Sequence, residues 1–266
     1  MSPRWSRPLL ALTTAALLIA GCGKSETADD ATVTVPEPLP GATGGAASTS
    51  ASASPPAPSA STPESGGTAA APAVKAEGFG TLKGRVLFAG DPPAPRMLVA
   101  KGEKNVKNPE VCAVNGVPNQ ELVVDPETKG VQYAIVYIPR PTAVKPEAES
   151  DARSATVDFD QKGCMFVPHV LAVMKGATIN VKSDDPIGHN VNSLLTNNKF
   201  NTNIQPAAAP YVVNPKVAEN RPGKVVCDIH PWMSSWWLVA SNPYFAVTNA
   251  RGEYTIKDAP AGTQKV

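Results

Sequence analysis

From residue 79 onward, apolar and polar residues alternate in short runs that end at Pro, Gly or Asp, and no stretch carries an apolar stripe at helical spacing. Alternation with a period of two puts successive side chains on opposite faces of an extended chain, so the pattern predicts strands and very little helix. Lys83 to Gly90 reads as a strand running into the turn Asp91-Pro92-Pro93, and Arg96 to Ala100 as a second. Glu121 to Val124 and Val131 to Ile138 flank Asp125-Pro126-Glu127-Thr128-Lys129-Gly130, the composition of a hairpin turn. A Pro- and charge-rich loop is expected over 139–153, strands over 165–174 and 177–182 around Lys175-Gly176, and a short strand at Lys224-Val225-Val226. Asn192 to Asn203 reads as a solvated loop. Phe245 to Thr248, Gly252 to Ile256 and 259–263 are expected to add a last hairpin. Many short strands separated by Pro and Gly turns imply an all-β fold, a sandwich of two sheets.

The first 78 residues follow none of these patterns. Arg4 and Arg7 precede an apolar run, Leu9 to Ala20, that is too short to span a bilayer comfortably, so residues 1–22 read as an export signal. Its end, Ile19-Ala20-Gly21-Cys22, resembles a bacterial lipobox, which implies lipidation of Cys22 as the first residue of the mature chain. Gly23 follows where an acidic residue would favour inner-membrane retention, so the resemblance leans toward the outer membrane, on its periplasmic face. Residues 23–78 are dominated by Ala, Pro, Ser, Thr and Gly and hold too little apolar surface to offset chain entropy, which implies a disordered tether. A flexible coil of that length has an r.m.s. span of roughly 40 Å.

With 28 Pro and 20 Gly in 266 residues, the chain has much that will not pack. A net charge of +1 gives no basis for nucleic-acid binding. Three of the four Trp lie between Trp232 and Trp237, beside the stretch with the most distinctive chemistry. That stretch is Cys227-Asp228-Ile229-His230-Pro231-Trp232-Met233, with a thiol, an imidazole and a thioether on seven residues. Thiolate and thioether favour Cu(I), imidazole accepts both copper oxidation states, and two His with one Cys and a weak axial Met form the blue-copper set. The second His must come from elsewhere. Of the three in the chain, His189, in Gly188-His189-Asn190-Val191, is the better candidate, whereas His169 sits in an apolar run and reads as a core or edge residue.

The Cys-x-x-His-x-x-Met spacing, with Pro after the His and an aromatic before the Met, resembles the cupredoxins, amicyanin above all. His189-Asn190-Val191, placed 38 positions before Cys227, extends the resemblance. Phe166-Val167-Pro168-His169, Lys175-Gly176, Asp185-Pro186, His189-Asn190 and Phe200-Asn201 also resemble the plastocyanin-like proteins often labelled methylamine utilisation proteins. The resemblance implies a cupredoxin-like Greek-key β-sandwich over 79–249. A β extension follows over 250–266, similar to the start of a carboxypeptidase-regulatory-like unit. It also implies one type 1 copper ion held by His189, Cys227, His230 and Met233, with Asn190 tying the two ligand segments together. His230 is then expected as the more exposed ligand, with Pro231 and Trp232 in an apolar docking patch for a redox partner protein. Of Trp236 and Trp237, one is expected to face inward. Asp184 and Asp185, beside Pro186 and Gly188, read as turn residues.

Cysteine parity bears on the ligand set. With Cys22 lipidated, three Cys remain in an oxidising compartment, and one is left over after any disulfide. Cys112 with Cys164, both at the edges of strand-like segments, is the expected pair and leaves Cys227 free; the rival pairing, Cys164 with Cys227, would remove the thiolate. An electron carrier is the function implied. A copper enzyme would need an open coordination position and acid–base groups, and a copper storage or delivery protein more Met and His than the 5 and 3 present. A structural β-sandwich lipoprotein would need no metal.

Overall fold

The computed structural model describes residues 32–35 and 77–266. The expected export signal, Cys22 and most of the expected tether lie outside the described residues. Within that tether, Thr32–Val35 is a strand, paired antiparallel with Gly262–Lys265. Its Thr-Val-Thr-Val sequence is wholly β-branched, the one stretch of the segment with strong strand preference.

The architecture is all-β, and two facing sheets form its main body. One has the order Val170–Met174, Ser234–Ala240, Gly223–Val226, His189–Ser193, Phe200–Ile204. The other has the order Tyr211–Val213, Thr178–Val181, Thr156–Gln161, Phe166–Val167. Each sheet contains one parallel pair, Val170–Met174 with Ser234–Ala240 and Thr156–Gln161 with Thr178–Val181; the other pairings within the two sheets are antiparallel. Alternation is plain in Thr178–Val181, where Ile179 and Val181 are fully buried between partly exposed neighbours. Phe159, Phe166, Ile179 and Val181 from one sheet meet Leu171, Val173, Val191, Val225, Trp237 and Val239 from the other in a single core. Phe159 marks the contact plane: its ring stacks on Phe166 at 5.0 Å and meets Trp237 edge-on at 4.7 Å. Trp237 is thus the inward-facing member of its pair, while Trp236 is exposed. Each large apolar side chain so buried contributes about 1.5–3 kcal/mol.

A second, smaller core gathers Leu82, Val136, Ile138, Tyr244, Ile256 and Ala259. Its strands pair over long range, Phe79–Arg85 with Glu253–Pro260 and Ile135–Tyr137 with Phe245–Val247. The expected last hairpin is therefore corrected. Its three runs pair with residues 135–137, 79–85 and 32–35 rather than with one another, because each covers an edge that the N-terminal half leaves open. The segment 250–266 is thus joined to the start of the expected domain.

Three other expectations change. The charge-rich loop 139–153 contains a helix, Pro146–Ser154, with Pro in its first turn, Glu147 and Glu149 near its start and Arg153 near its end. Those positions suit the fixed φ of Pro and the helix dipole. No residue of the helix is buried, so it has no apolar stripe for periodicity to detect. The Asn-rich loop 192–203 is two antiparallel strands in the register His189↔Ile204 to Ser193↔Phe200, joined by a loop that the Glu219 carboxylate holds by accepting the N–H groups of Thr196, Asn197 and Asn198. The run 165–174 breaks at Pro168, which has no N–H to offer a ladder, into Phe166–Val167 and Val170–Met174, strands of different sheets. The hairpin at 123–132 forms as expected, with the Asp125 carboxylate accepting from Glu127 N, Thr128 N and Thr128 Oγ1.

Candidate metal centre

His189 opens the strand His189–Ser193, and Cys227 directly follows the strand Gly223–Val226 that pairs with it. Adjacent strands therefore bring imidazole and thiol together from residues 38 apart. The chain then makes a tight loop, closed by Met233 N donating to the His230 carbonyl at 2.9 Å and Cys227 N donating to the Met233 carbonyl at 3.2 Å. This loop folds His230 back over Cys227.

The donor atoms of His189, Cys227 and His230 all lie within 4.8 Å of one another, and all three residues are buried. The two imidazoles face each other Nδ1 to Nδ1 at 3.1 Å, and Cys227 Sγ is 3.8 Å from His230 Nδ1. Met233, 1% exposed, is buried in the same core as Cys227.

The outward nitrogens fix the tautomers. His189 Nε2 is 2.9 Å from Asp185 Oδ2, and His230 Nε2 is 3.1 Å from Asn108 Oδ1. Asn108 Nδ2 donates to Glu110 Oε1, which sets the amide so that its oxygen faces the ring. A carboxylate and an amide oxygen only accept, so each Nε2 carries the proton and each Nδ1 presents a lone pair inward. Two nitrogen lone pairs and a sulfur thus converge on one buried space, an arrangement that repels itself unless a cation or shared protons lie between. The pKa directions express this crowding. Burial pushes the Cys227 thiol up, but a proton shared with the His189 or His230 ring and the Asn190 N–H outweigh it and bring the value from 9.0 to about 6. Burial pulls His189 down, but its bonds to Asp185 and Cys227 outweigh that and raise it. Burial likewise favours protonated Asp185, but His189 and the N–H groups of Cys164 and Gly163 outweigh it and lower the value.

Asn190 joins the segments that carry His189 and Cys227. Its backbone N–H donates to Cys227 Sγ at 3.4 Å, and its side-chain oxygen accepts from Asp228 N at 3.2 Å. Its Nδ2 donates among Asn201 Oδ1, Asn203 Oδ1 and the Thr202 carbonyl. Asn192 and Asn201 in turn donate to the Asp228 carboxylate. The Asn-rich strands are therefore the scaffold of the ligand loop.

Two residues at the centre were not expected there. Asp185 reads as a turn residue in the sequence; instead it is buried, and its carboxylate holds His189 and also accepts from Gly163 N at 2.6 Å and Cys164 N at 2.8 Å. Its position four residues before His189 was the one available clue. Asn108 had none, lying 122 residues from His230. Its presence corrects the expected exposure of His230, which is 0% exposed because the segment carrying Asn108 lies over its ring edge. Pro231 is exposed and Trp232 partly so. The Trp232 ring lies 5.4 Å from that of His230 and borders a cleft of about 250 Å³ lined also by Arg96, Glu121, His169, Lys224 and Met233.

Cys112 and Cys164 form a disulfide, and Cys227 is the free, buried thiol among the described residues. His169 is buried against the edge of Tyr133, away from the donor cluster.

No protein-family model matches the chain, and no curated protein does so. Solved structures to which part of it is similar are cupredoxins and a copper enzyme. Amicyanin from Paracoccus versutus matches 41% of this chain and 99% of its own, at 18% identity and a TM-score of 0.28. A purple cupredoxin from Nitrosopumilus maritimus matches 33% of this chain and all of its own, at 20% identity and a TM-score of 0.27. The copper-containing nitrite reductase of Thermus scotoductus SA-01 matches 38% of this chain, at 20% identity and a TM-score of 0.29, and the match spans a quarter of that protein's length.

Proposed function

We propose that the protein is an exported, membrane-tethered type 1 copper protein that carries single electrons between redox partners. The observation that carries this reading is the convergence of His189 Nδ1, His230 Nδ1 and Cys227 Sγ, with both Nε2–H groups already engaged outward. A buried thiolate with two imidazoles suits copper over hard cations, which prefer oxygen ligands. Copper held by these three, with Met233 as a weak fourth ligand, would supply a one-electron couple. The chain's own part is to keep the donors still. His189 and Cys227 sit on paired strands, Asn190 pins the loop, and every ligand is shielded from water. The Asn190 N–H donates to the sulfur and so stabilises the thiolate.

Because His230 is covered, Trp232 is the side chain that connects the donor cluster to the surface, and it forms the docking patch for a redox partner protein with Pro231. A lipid on Cys22 would hold the domain at the periplasmic face of a membrane, the outer one by the nature of Gly23, with residues 23–31 between the anchor and the strand Thr32–Val35 that pairs with Gly262–Lys265. Detergent partitioning of the full chain against Cys22→Ser tests the anchor.

The test of the copper reading is visible absorption of the oxidised, copper-loaded protein beside Cys227→Ser. An intense thiolate-to-copper band is expected in the first and none in the second. A protein that binds Cu(I) tightly yet has no such band is a storage or delivery protein, and one that binds no copper is a structural β-sandwich.

A further inference from the structure

The contacts around the donor cluster close into a ring. His189 Nε2 meets Asp185, whose carboxylate accepts the Cys164 N–H. Cys164 is bonded to Cys112, and Cys112 N donates to the carbonyl of Asn108. Asn108 Oδ1 meets His230 Nε2, and His230 Nδ1 returns to His189 Nδ1. One link in this ring is covalent and can be cut by reduction, and it belongs to no proposed ligand.

The segment on the far side of that disulfide has the form of a lid. Residues 100–116 leave and re-enter the fold through paired strands, Met97–Val99 and Val117–Pro118, and Gly102 N donates to the Ala113 carbonyl across the loop's base. Gly116, at φ +73, lets the chain turn back where a Cβ would strike the Met97 side chain and the Val99 carbonyl. Val106 and Val111 pack on the core that holds Cys227 and Met233. Cys112 and Ala113 are themselves buried in that core, and the Asn108 contact and the disulfide hold the rest of the loop over the site. A loop of this length, freed at one point, gains considerable conformational entropy.

We infer that residues 100–116 are a cap on the metal centre, with Asn108 as the positioning residue for His230 and the Cys112–Cys164 disulfide as the latch, so that access to Cys227 and the exchange of its metal are set by a disulfide outside the donor set. Opening the latch takes two electrons and two protons from a dithiol reductant. The S–S bond breaks to give the thiols of Cys112 and Cys164, and the reductant's own two thiols become a disulfide. His230 then loses the acceptor that fixes its ring, whereas the backbone N–H groups of Gly163 and Cys164, which lie outside the cap, still donate to Asp185. The exchange of metal rests on the copper reading above; the cap does not.

Thiol labelling separates the two. In the metal-free full chain carrying Cys22→Ser, the rate at which a small aromatic disulfide reagent modifies Cys227 reports the cap alone. Labelling at least tenfold faster is expected in Cys112→Ser/Cys164→Ser, and several-fold faster in Asn108→Ala, whose fold keeps the disulfide. Far-ultraviolet circular dichroism checks that both variants remain folded. The His230 Nε2–H, protected from solvent exchange in the parent and visible by nitrogen-15 NMR, should lose that protection in Asn108→Ala. A labelling rate unchanged in either variant, or an imidazole N–H equally protected without Asn108, overturns the proposal. In the copper-loaded protein, loss of Cu(I) to a chelator should accelerate in the same order. If the protein binds no copper but labelling accelerates as expected, the cap stands and the electron-carrier reading falls.

Discussion

His189 and His230 present the same atom to the same space, yet the chain holds them in opposite ways. His189 begins a strand hydrogen-bonded on both sides, and its outward nitrogen meets a buried carboxylate only four residues earlier. His230 rides on a loop, and its outward nitrogen meets a neutral amide borrowed from a segment 122 residues away. The first arrangement is local, charged and built into the sandwich; the second is distant, neutral and removable. A charge-assisted hydrogen bond is roughly twice as strong as a neutral one. The His189 side therefore carries the stability of the centre, and the His230 side is where it can be altered with the sandwich intact.

The widest gap between the two sides should appear on deleting their outward partners. Asp185→Ala leaves three N–H donors without an acceptor, the buried ones of His189 Nε2 and Cys164 and the part-buried one of Gly163. Each buried donor left unsatisfied costs about 1–3 kcal/mol, so losing the acceptor of two buried donors and one part-buried donor costs about 3–5 kcal/mol. Urea unfolding of the metal-free protein should show a loss of that size. A loss no larger than that for a surface residue would mean that the carboxylate does not anchor the site.

Asn108→Ala removes one neutral acceptor, at about 0.5–1.5 kcal/mol, and places Ala at a left-handed φ of 51°, at about 1 kcal/mol more, in the same measurement. The comparison fails if the two substitutions destabilise equally, since the cap would then be as much a part of the sandwich as Asp185 is.

The same division explains how much of the centre could be read from residues alone. Cys227 and His230 are legible because they lie three residues apart on one short stretch, and His189-Asn190 because it is a compact motif. Asp185 carried a weak mark, its spacing from His189, which its Pro186 and Gly188 neighbours disguised as turn chemistry. Asn108 carried none, since nothing local distinguishes an Asn whose partner is supplied by tertiary packing. The fold divides likewise. Alternation exposes strands such as Thr178–Val181, but a parallel pairing such as Val170–Met174 with Ser234–Ala240 leaves no local trace. The helix Pro146–Ser154 escaped because it buries nothing. The Asn-rich strands escaped because their polar side chains serve one another and Asp228, so the usual association of polar runs with solvent does not hold.

His169 supplies the control with the smallest expected effect, a buried histidine with no carboxylate hydrogen-bonded to its ring, where the charges of Glu121 and Lys224 act in opposite directions. Burial lowers its pKa below the ordinary value of 6.5, a hydrogen bond with the Ser234 backbone only partly opposing this. As pH falls below about 6.5, the unfolded chain takes up a proton at this position before the native chain does. The stability that the neutral ring provides is therefore present above that pH and lost as pH falls toward the lower native value. His169→Gln keeps a polar side chain of similar length and removes the titration, so the difference in unfolding free energy between parent and variant should change with pH only below about 6.5. His189, whose pKa moves the other way because Asp185 and Cys227 face it, is common to both proteins and cancels in that difference. A difference flat from pH 7 to pH 5 would show that His169 is solvated in the native state and that burial alone does not set a histidine's behaviour here. A difference that grows on acidification isolates what the carboxylate does at His189, since it reverses the direction that burial imposes.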